Sequence, residues 1–399
     1  MFKKKTILIL GAGHEQLPAY KLCKKNSAVI IGVDKNKYAP GLKYAKFKII
    51  TSIREDEDLI KKIKRLKIKI SAVLTIANDI PEIYYKICNE LNLRNISKKS
   101  AILGASKIKL YNELQKNKIL VPKFSSISNV QDGIKILKRN KYKFILKPSD
   151  GRGSRGVNYV NKIKDFNFLY ADSSKNTKFK ELILQKYIKG IQVSSESLIY
   201  NGKIFTILSH RNYKHMNKFY PNIIENGGEL PFNVNKKIRK KIDNLILKIS
   251  KILKIENSPL KCDLIILNGK IYVIEATPRF GGGFVASHSS NVLYGVNFLE
   301  LYIKILLGIK INKIKFNYKN KFLSLRFFLN RNNNIKDFKK KQNFLFKKYQ
   351  KNIVHKILTK KSYIKDSKIK SHVDRAGCVL IQSDIKKEAI RISEKIVNF

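Results

Sequence analysis

Acidic residues are scarce in this 399-residue chain: 29 Asp and Glu stand against 83 Lys and Arg, a formal net charge of +54. An excess of that size ordinarily points to nucleic acid or an anionic membrane as partner. Here the basic residues are overwhelmingly Lys, spread evenly and mixed with Ile and Asn, and no discrete patch or nucleic-acid module stands out. A solvated lysine surface is the expectation, with no specific nucleic acid partner. Cysteine is also rare. Cys23, Cys88, Cys262 and Cys378 lie far apart and make no metal-type pair, so they read as buried, reduced thiols of a cytoplasmic protein. No apolar run reaches the roughly 18 residues that would span a bilayer, so no membrane partner is expected. The run Thr6 to Leu10 is short and breaks at His14-Glu15 without a small-residue cleavage site, unlike a secretory leader. Apolar residues are plentiful at 43%, with 10% aromatic, which suits a globular chain of two or three domains.

The most informative stretch is Phe144 to Val157, FILKPSDGRGSRGV. Phe144 to Leu146 reads as a strand closed by Lys147. Gly151, Gly153 and Gly156 then admit backbone angles closed to other residues and let the main chain approach a ligand. Successive free N–H groups in such a loop make an anion-binding nest, and Lys147 adds a point charge, so the loop suits a nucleotide's phosphates. A hairpin tip is the competing reading, since glycine-rich motifs recur by chance.

Upstream, Thr6 to Leu10, the turn Gly11-Ala12-Gly13, a helical pattern through Lys25 and the strand Ala28 to Val33, closed by Asp34, open a doubly wound fold. A dinucleotide site would follow, but the third glycine of G-x-G-x-x-G is Gln16. Strands are expected near Phe47 to Thr51 and Ser71 to Ile76, with helices between Asp56 and Leu66 and between Pro81 and Leu91. Asn233 to Ile255 has the spacing of an amphipathic helix. Ser209 to Asn226, with His210, Arg211, Tyr213, Lys214 and His215, reads as a polar loop that either closes over a carboxylate substrate or is a disordered tip. Asn330 to Lys370 is too lysine-rich and irregular to assign.

Asp263 opens one strand of a hairpin turned at Asn268-Gly269, and Glu275 closes the other, which brings two carboxylates together. A divalent cation removes their repulsion, and Mg²⁺ prefers a few carboxylate oxygens plus nucleotide phosphates. Thr277 and Arg279 follow on alternate positions, facing the same way. Arg279 suits charge stabilisation of a transferring phosphoryl group or a tetrahedral intermediate.

Lys147-Pro148 with Gly151, Gly153, Ser154 and Gly156, followed by the Asp263/Glu275 hairpin and Arg279, resembles the ATP-grasp superfamily. The likeness is to its carbamoyl-phosphate-synthase-like and carboxylate-amine ligase members, and it runs along essentially the whole chain. It implies an α/β and α+β multidomain fold: a Rossmann-like pre-ATP-grasp domain (1–105), an ATP-grasp domain (106–315, subdivided near 184) and a small α+β C-terminal module (316–399). It also implies that Lys107 and Lys147 hold ATP phosphates and that Gln185, Lys186, Tyr187 and Ile188 form the hinge that reads adenine. Gln192, where a glutamate is common, and Glu196 on the same strand face become ribose candidates. Asp263, Glu275 and Thr277, the last in place of the usual Asn, become metal ligands; Ser106 replaces a frequent Asp. Gly11, His14, Glu15, Gln16 and Arg211 become substrate contacts.

The implied activity is ATP- and Mg²⁺-dependent ligation of a carboxylate to an amine through an acyl phosphate, with Mn²⁺ as an alternative ion and a homodimer as one option for assembly. Two alternatives stay open at this point. One is a nicotinamide-dependent oxidoreductase using Gly11 and Asp34; the other is a non-catalytic polyanion-binding protein.

Overall fold

The computed structural model describes residues 2–214, 216–329, 335–359 and 369–397. Of the positions singled out above, His215 lies outside them, as do 330–334 and 360–368 of the unassigned stretch.

The chain begins β1 (Thr6–Leu10), α1 (Leu17–Lys25), β2 (Val29–Val33), β3 (Phe47–Ile49), α2 (Asp56–Arg65), β4 (Ala72–Thr75) and α3 (Pro81–Glu90). The four strands lie parallel in the order β3-β2-β1-β4. Every residue of β1 is buried, as a strand covered on both faces requires. Two helices lead out: α4 (Lys98–Ala105), capped by Ser97, and α5 (Lys107–Lys116), whose cap is the Ser106 hydroxyl accepting from Lys109 N. Ser106 therefore starts a helix, and that places Lys107 at its first turn.

A four-stranded antiparallel sheet follows, built from β5 (Phe124–Ile127), α6 (Val130–Lys138), β6 (Phe144–Pro148), β7 (Asn158–Val160), α7 (Phe166–Ser174) and β8 (Leu182–Lys186), in the order β5-β8-β6-β7. The third sheet begins with β9 (Ile191–Tyr200), β10 (Lys203–Arg211) and β11 (Gly228–Leu230); then come α8 (Lys236–Ile252), β12 (Pro259–Leu267) and β13 (Lys270–Thr277). Helix α8 is capped by Asn235 and buries Ile242, Ile246 and Ile249 against the sheet, as its spacing predicts. After α9 (Ser290–Tyr294) and α10 (Phe298–Leu306), the chain adds β14 (Phe322–Phe327), α11 (Ile335–Lys348), β15 (Ile353–Leu358), β16 (Gly377–Ser383) and α12 (Lys386–Val397).

Two expectations change. The residues after 316 form α+β structure, but their strands join the central sheet, whose order is β13-β12-β9-β10-β11-β14-β16-β15. The expected polar loop also begins later, because residues 209–211 belong to β10. β10 runs through Arg211 and pairs with β11, and Asn212 N donates to Gly227 O at 2.8 Å while Asn226 N donates to Asn212 O at 2.8 Å.

The junction between these strands is locked by charge. Arg326 of β14, 1% exposed, pairs with Glu229 of β11 and with Glu394 of α12. Burial pushes the Glu229 carboxyl up, but the His210 hydrogen bond and the Arg326 charge outweigh it and hold the group at about 2. A carboxyl depressed in the folded state stabilises above its unfolded value of about 4.3 and ceases to do so as pH falls toward the folded value. Arg326→Met is therefore expected to cost roughly 3 kcal/mol at pH 7, because the buried Glu229 loses a partner. The difference between the two proteins in urea unfolding should shrink between about pH 4.3 and pH 2.

Candidate active site

A cavity of about 650 Å³ lies where the three sheets meet. Its floor is the β12–β13 hairpin. Asn268 and Gly269 turn it with positive φ (48° and 70°), as the sequence predicts. A regular two-residue hairpin would set Ile274 opposite Asp263. Instead the register shifts after Asp263, so that Glu275 pairs with Asp263 and Val273 with Leu264. The extra residue, Ile274, offers its carbonyl to the Tyr111 hydroxyl at 2.6 Å.

The two carboxylates are partly buried and surrounded by cations. Lys261, two residues before Asp263 on β12, places Nζ 2.6 Å from Asp263 Oδ2 and 3.4 Å from Glu275 Oε2. Lys107 Nζ is 2.9 Å from Glu275 Oε1, and Arg211 NH1 is 3.5 Å from Asp263 Oδ1. Burial alone would raise both carboxyls; Lys107 and Lys261 hold Glu275 well below its ordinary range, and Lys261 and Arg211 lower Asp263. Both acids are thus charged and paired.

Lys107 Nζ also donates to Gly151 O at 2.7 Å, which ties α5 to the glycine loop. Lys147, buried at the end of β6, donates to the Tyr111 hydroxyl at 2.9 Å. Burial, then repulsion from Lys107, pushes the Lys147 amine down to about 7. In the loop, Gly151, Gly153 and Ser154 line the cavity. Gly156 faces elsewhere: its carbonyl accepts from Ser173 Oγ at 2.8 Å, and a Cβ there would sit 3.0 Å from Ser173 Cα, so this glycine serves packing on α7. The loop tip is held from the far end of the chain. His372 N donates to Gly153 O at 2.9 Å, and the Ser154 hydroxyl lies 3.1 Å from His372 Nε2.

At the other end, Ile145, Tyr187, Ile188 and Ile265 form a largely apolar slot beside Gln185 and Gln192. The Lys186 side chain turns away and places Nζ 4.6 Å over the Tyr142 ring. Gln185 Oε1 lies 3.0 Å from the Tyr111 hydroxyl. Glu196 shares the cavity with Gln192 but points both oxygens at Gly281 N, at 3.0 and 2.9 Å. A Cβ on Gly281 would lie 2.2 Å from Glu196 Oε1, which explains the glycine.

Thr277 does not join the two acids. It lines a separate small cavity with Thr75, Asn78 and Asp79, because Pro278 and Arg279 carry the chain toward the first domain. Arg279 does line the main cavity, with its guanidinium paired to Asp79 through Nε at 2.6 Å and through NH2. Of the first-domain candidates, His14 and Glu15 line the cavity, and Glu15 Oε2 accepts from Gly283 N at 3.1 Å. Gln16 is a brace: its Nε2 donates to Ile76 O at 2.7 Å. Gly11 is a turn residue (φ 83°) where a Cβ would meet Asn78 Nδ2 at 2.7 Å.

Several cavity residues escape a sequence reading. Lys261 had a usable signal, since alternation puts it on the Asp263 face. Asp79, His372 and Arg375 had none, because their partners lie far away in sequence, nor did Glu225 or the buried Tyr111 that holds Lys147. Glu225 joins Arg211 and Arg375.

Residues 104–283 match the ATP-grasp domain family. The carbamoyl phosphate synthase large chain of Clostridium botulinum (strain Kyoto / Type A2) is 23% identical over 238 residues, 57% of this chain and 21% of its own length. The chain spans about a fifth of the length of the curated relatives it matches. Among solved structures, the L-amino acid ligase from Bacillus licheniformis superposes with a TM-score of 0.75 at 17% identity, covering 100% of this chain and 98% of the other. The ADP complex of N5-carboxyaminoimidazole synthetase from Staphylococcus aureus gives 0.76 at 17% identity over 99% and 98%. Phosphoribosylglycinamide synthetase from Anaerococcus prevotii gives 0.71 at 20% over 99% and 98%. The match to the ATP-grasp domain family thus takes in residues 104–283, the stretch that carries Lys107, Lys147, the glycine loop, Asp263, Glu275 and Arg279.

Proposed function

We propose that the protein is an ATP-dependent ligase that activates a carboxylate and joins it to an amine. The observation that carries this reading is the convergence of Lys107, Lys147, the glycine loop and the opposed Asp263 and Glu275 in one cavity that also holds Arg211 and Arg375. The similar solved proteins include an L-amino acid ligase and synthetases described with ADP, which supports the same class.

The residues fit ATP with Mg²⁺. Asp263 Oδ1 is buried without a hydrogen-bond partner among the described residues. No group of three or more His, Cys, Asp or Glu suited to a metal occurs among those residues, so an ion here takes its remaining ligands from phosphates, as Mg²⁺ does. Asp263 and Glu275 would hold it, and Thr277 would not. When bound, Mg²⁺ neutralises the charge between the β- and γ-phosphates.

The chain's own residues do the rest by position and charge. Lys147 and Lys107 meet the phosphates from the strand end and the helix start. The glycine loop, held down by His372, excludes water. The substrate carboxylate oxygen attacks the γ-phosphorus and the bond to the bridging oxygen of ADP breaks. The amine nitrogen then attacks the acyl carbon, phosphate leaves and the nitrogen gives up a proton. Lys261 and Arg211 stand beside the reacting carboxylate, and Arg279, fixed by Asp79, faces the same space.

The first-domain turn uses within itself the groups that a nicotinamide cofactor would need. Asp34, the acid that would read a ribose, accepts from Ala12 N at 2.8 Å and Asn36 N at 2.9 Å, and Gln16 fills the place of the third glycine.

Purified protein with Mg²⁺-ATP is expected to release ADP only when a pool of small carboxylates and amino acids contains its substrate. Glu275→Gln should lower that rate more than ~100-fold, since even outer-shell partners of a metal are worth about 10–100-fold. No release from any pool, together with no thermal stabilisation by Mg²⁺-ATP, would overturn the reading. Lys147 supplies a second check. Phosphates favour its charged form, so binding of ATP above pH 7 should take up close to one proton, and affinity should fall by up to about tenfold per pH unit. Calorimetry at pH 8 in two buffers of different ionisation heat measures the uptake; Lys147→Met should abolish it.

A further inference from the structure

The same cavity includes a region around Arg375 to which the nucleotide reading gives no role. Its walls come from three separated parts of the chain: Glu15 of the first domain, Gly282, Gly283 and Val285 after the hairpin, and β14, β15 and β16. Arg375 stands at its entrance. The guanidinium lies 3.8 Å over the Phe327 ring, and NH2 meets Glu225. Its Nε is buried with no hydrogen-bond partner among the described residues. A buried donor in that state awaits an acceptor. Glu225 is shared with Arg211, which itself reaches Asp263, so the two guanidiniums and one carboxylate leave one positive charge next to the metal-binding acids.

Glu15 faces this group from the other side, within electrostatic reach of Arg375 and Glu225. One oxygen accepts from Gly283 N. Burial pushes its carboxyl up to about 7, and a cation bound beside it would bring the group back down. Past Glu15 the lining turns apolar. Val285, Leu325, Phe327 and Cys378 are all buried, and Ile357 completes the wall. Contacts thus link Asp263 through Arg211 and Glu225 to Arg375 and the Phe327 ring, and Glu15 through Gly283 to Leu325.

We propose that the carboxylate activated here is that of an α-amino acid with an apolar side chain, its carboxylate held by Arg211 and Arg375, its ammonium by Glu15, and its side chain by Val285, Leu325, Phe327 and Ile357. This rests on the ligase reading and narrows it. A zwitterion matches the one positive and one negative charge that face the compartment. A dicarboxylate would bring a second anion to Glu15 and the apolar wall, and a simple fatty acid would leave Glu15 without a counter-charge.

The test compares L-leucine, 4-methylpentanoate and L-aspartate with the full-length protein. ADP release is followed with Mg²⁺-ATP and the same excess of hydroxylamine in every assay, so that each acyl phosphate meets the same nitrogen nucleophile, and thermal stabilisation is followed with Mg²⁺ and a non-hydrolysable ATP analogue. L-Leucine is expected to give both responses, with KM for 4-methylpentanoate higher by about tenfold or more and no response to L-aspartate. Glu15→Gln should raise KM for L-leucine to that of 4-methylpentanoate and leave the latter unchanged, which a purely structural role for Glu15 would not do. Arg375→Lys should raise KM for both while KM for ATP stays constant, and unaltered stabilisation by the ATP analogue would show that each variant is folded. ADP release with L-aspartate or other polar carboxylates but not L-leucine overturns the amino-acid assignment and leaves the ligase reading standing. Equal KM for L-leucine and 4-methylpentanoate overturns the ammonium role of Glu15. No response to any carboxylate removes both readings.

Discussion

Two like charges held side by side inside the protein are the constraint around which the rest is arranged. A regular hairpin turned at Asn268-Gly269 would have paired Asp263 with an isoleucine. The one-residue shift at Ile274 puts Glu275 there instead. Two partly buried carboxylates at that separation cannot stand alone, and Lys107, Lys261 and Arg211 answer them from a helix start, the same strand and a neighbouring strand. The bulge that creates the pair also frees the carbonyl that anchors Tyr111, and Tyr111 positions Lys147. Floor and phosphate end of the cavity thus follow from one irregularity in one strand.

A second property is that the cavity is closed by contacts between distant parts of the chain. Arg279 meets Asp79 in the first domain, His372 holds Gly153 and Ser154, and Arg375 meets Glu225. These contacts explain why the C-terminal strands extend the central sheet. His372 and Arg375 lie just ahead of β16, and only a strand built into that sheet can deliver them to the cavity with fixed aim. Lys261 has a different place in this scheme. Its ammonium lies between the two carboxylates, 2.6 Å from Asp263 and 3.4 Å from Glu275, so a cation of the chain itself already offsets their repulsion.

Local features were legible in the sequence because their physics is local. The Asn-Gly hairpin, the glycine loop after Lys147, the amphipathic spacing of α8 and the alternating apolar strands each follow from rules spanning a few residues. So did the pairing of Asp263 with Glu275, although the count gives adjacency only with the bulge that no residue announced. Thr277 still lies in β13, two residues after Glu275, and alternation alone did not announce that it lines the smaller cavity beside Asn78 and Asp79. Gln16 and Gly156 looked like ligand contacts because turn residues and ligand-binding residues share a composition; one braces β4 through Ile76 and the other packs on α7. Arg375 was invisible for the opposite reason, since its partner Glu225 lies scores of residues away.

The scarcity of acids then acquires a physical sense. Across the chain basic residues exceed acidic ones by 83 to 29. In the cavity the numbers are equal: Glu15, Asp79, Glu196, Glu225, Asp263 and Glu275 face Lys107, Lys147, Arg211, Lys261, Arg279 and Arg375. A surface that binds polyanions works by uncompensated positive charge spread along it; a site that transfers a phosphoryl group works by charges fixed individually against partners, so that each aims at one place without reorganising. Lysine can accumulate on a solvated surface at little energetic cost because water and counter-ions screen it within about 8–10 Å. Inside the cavity that screening weakens, and five of the six cations have a carboxylate within 4 Å while Lys147 has the Tyr111 hydroxyl. The surface composition is therefore free to drift, and the six acids that remain inside mark where it is not.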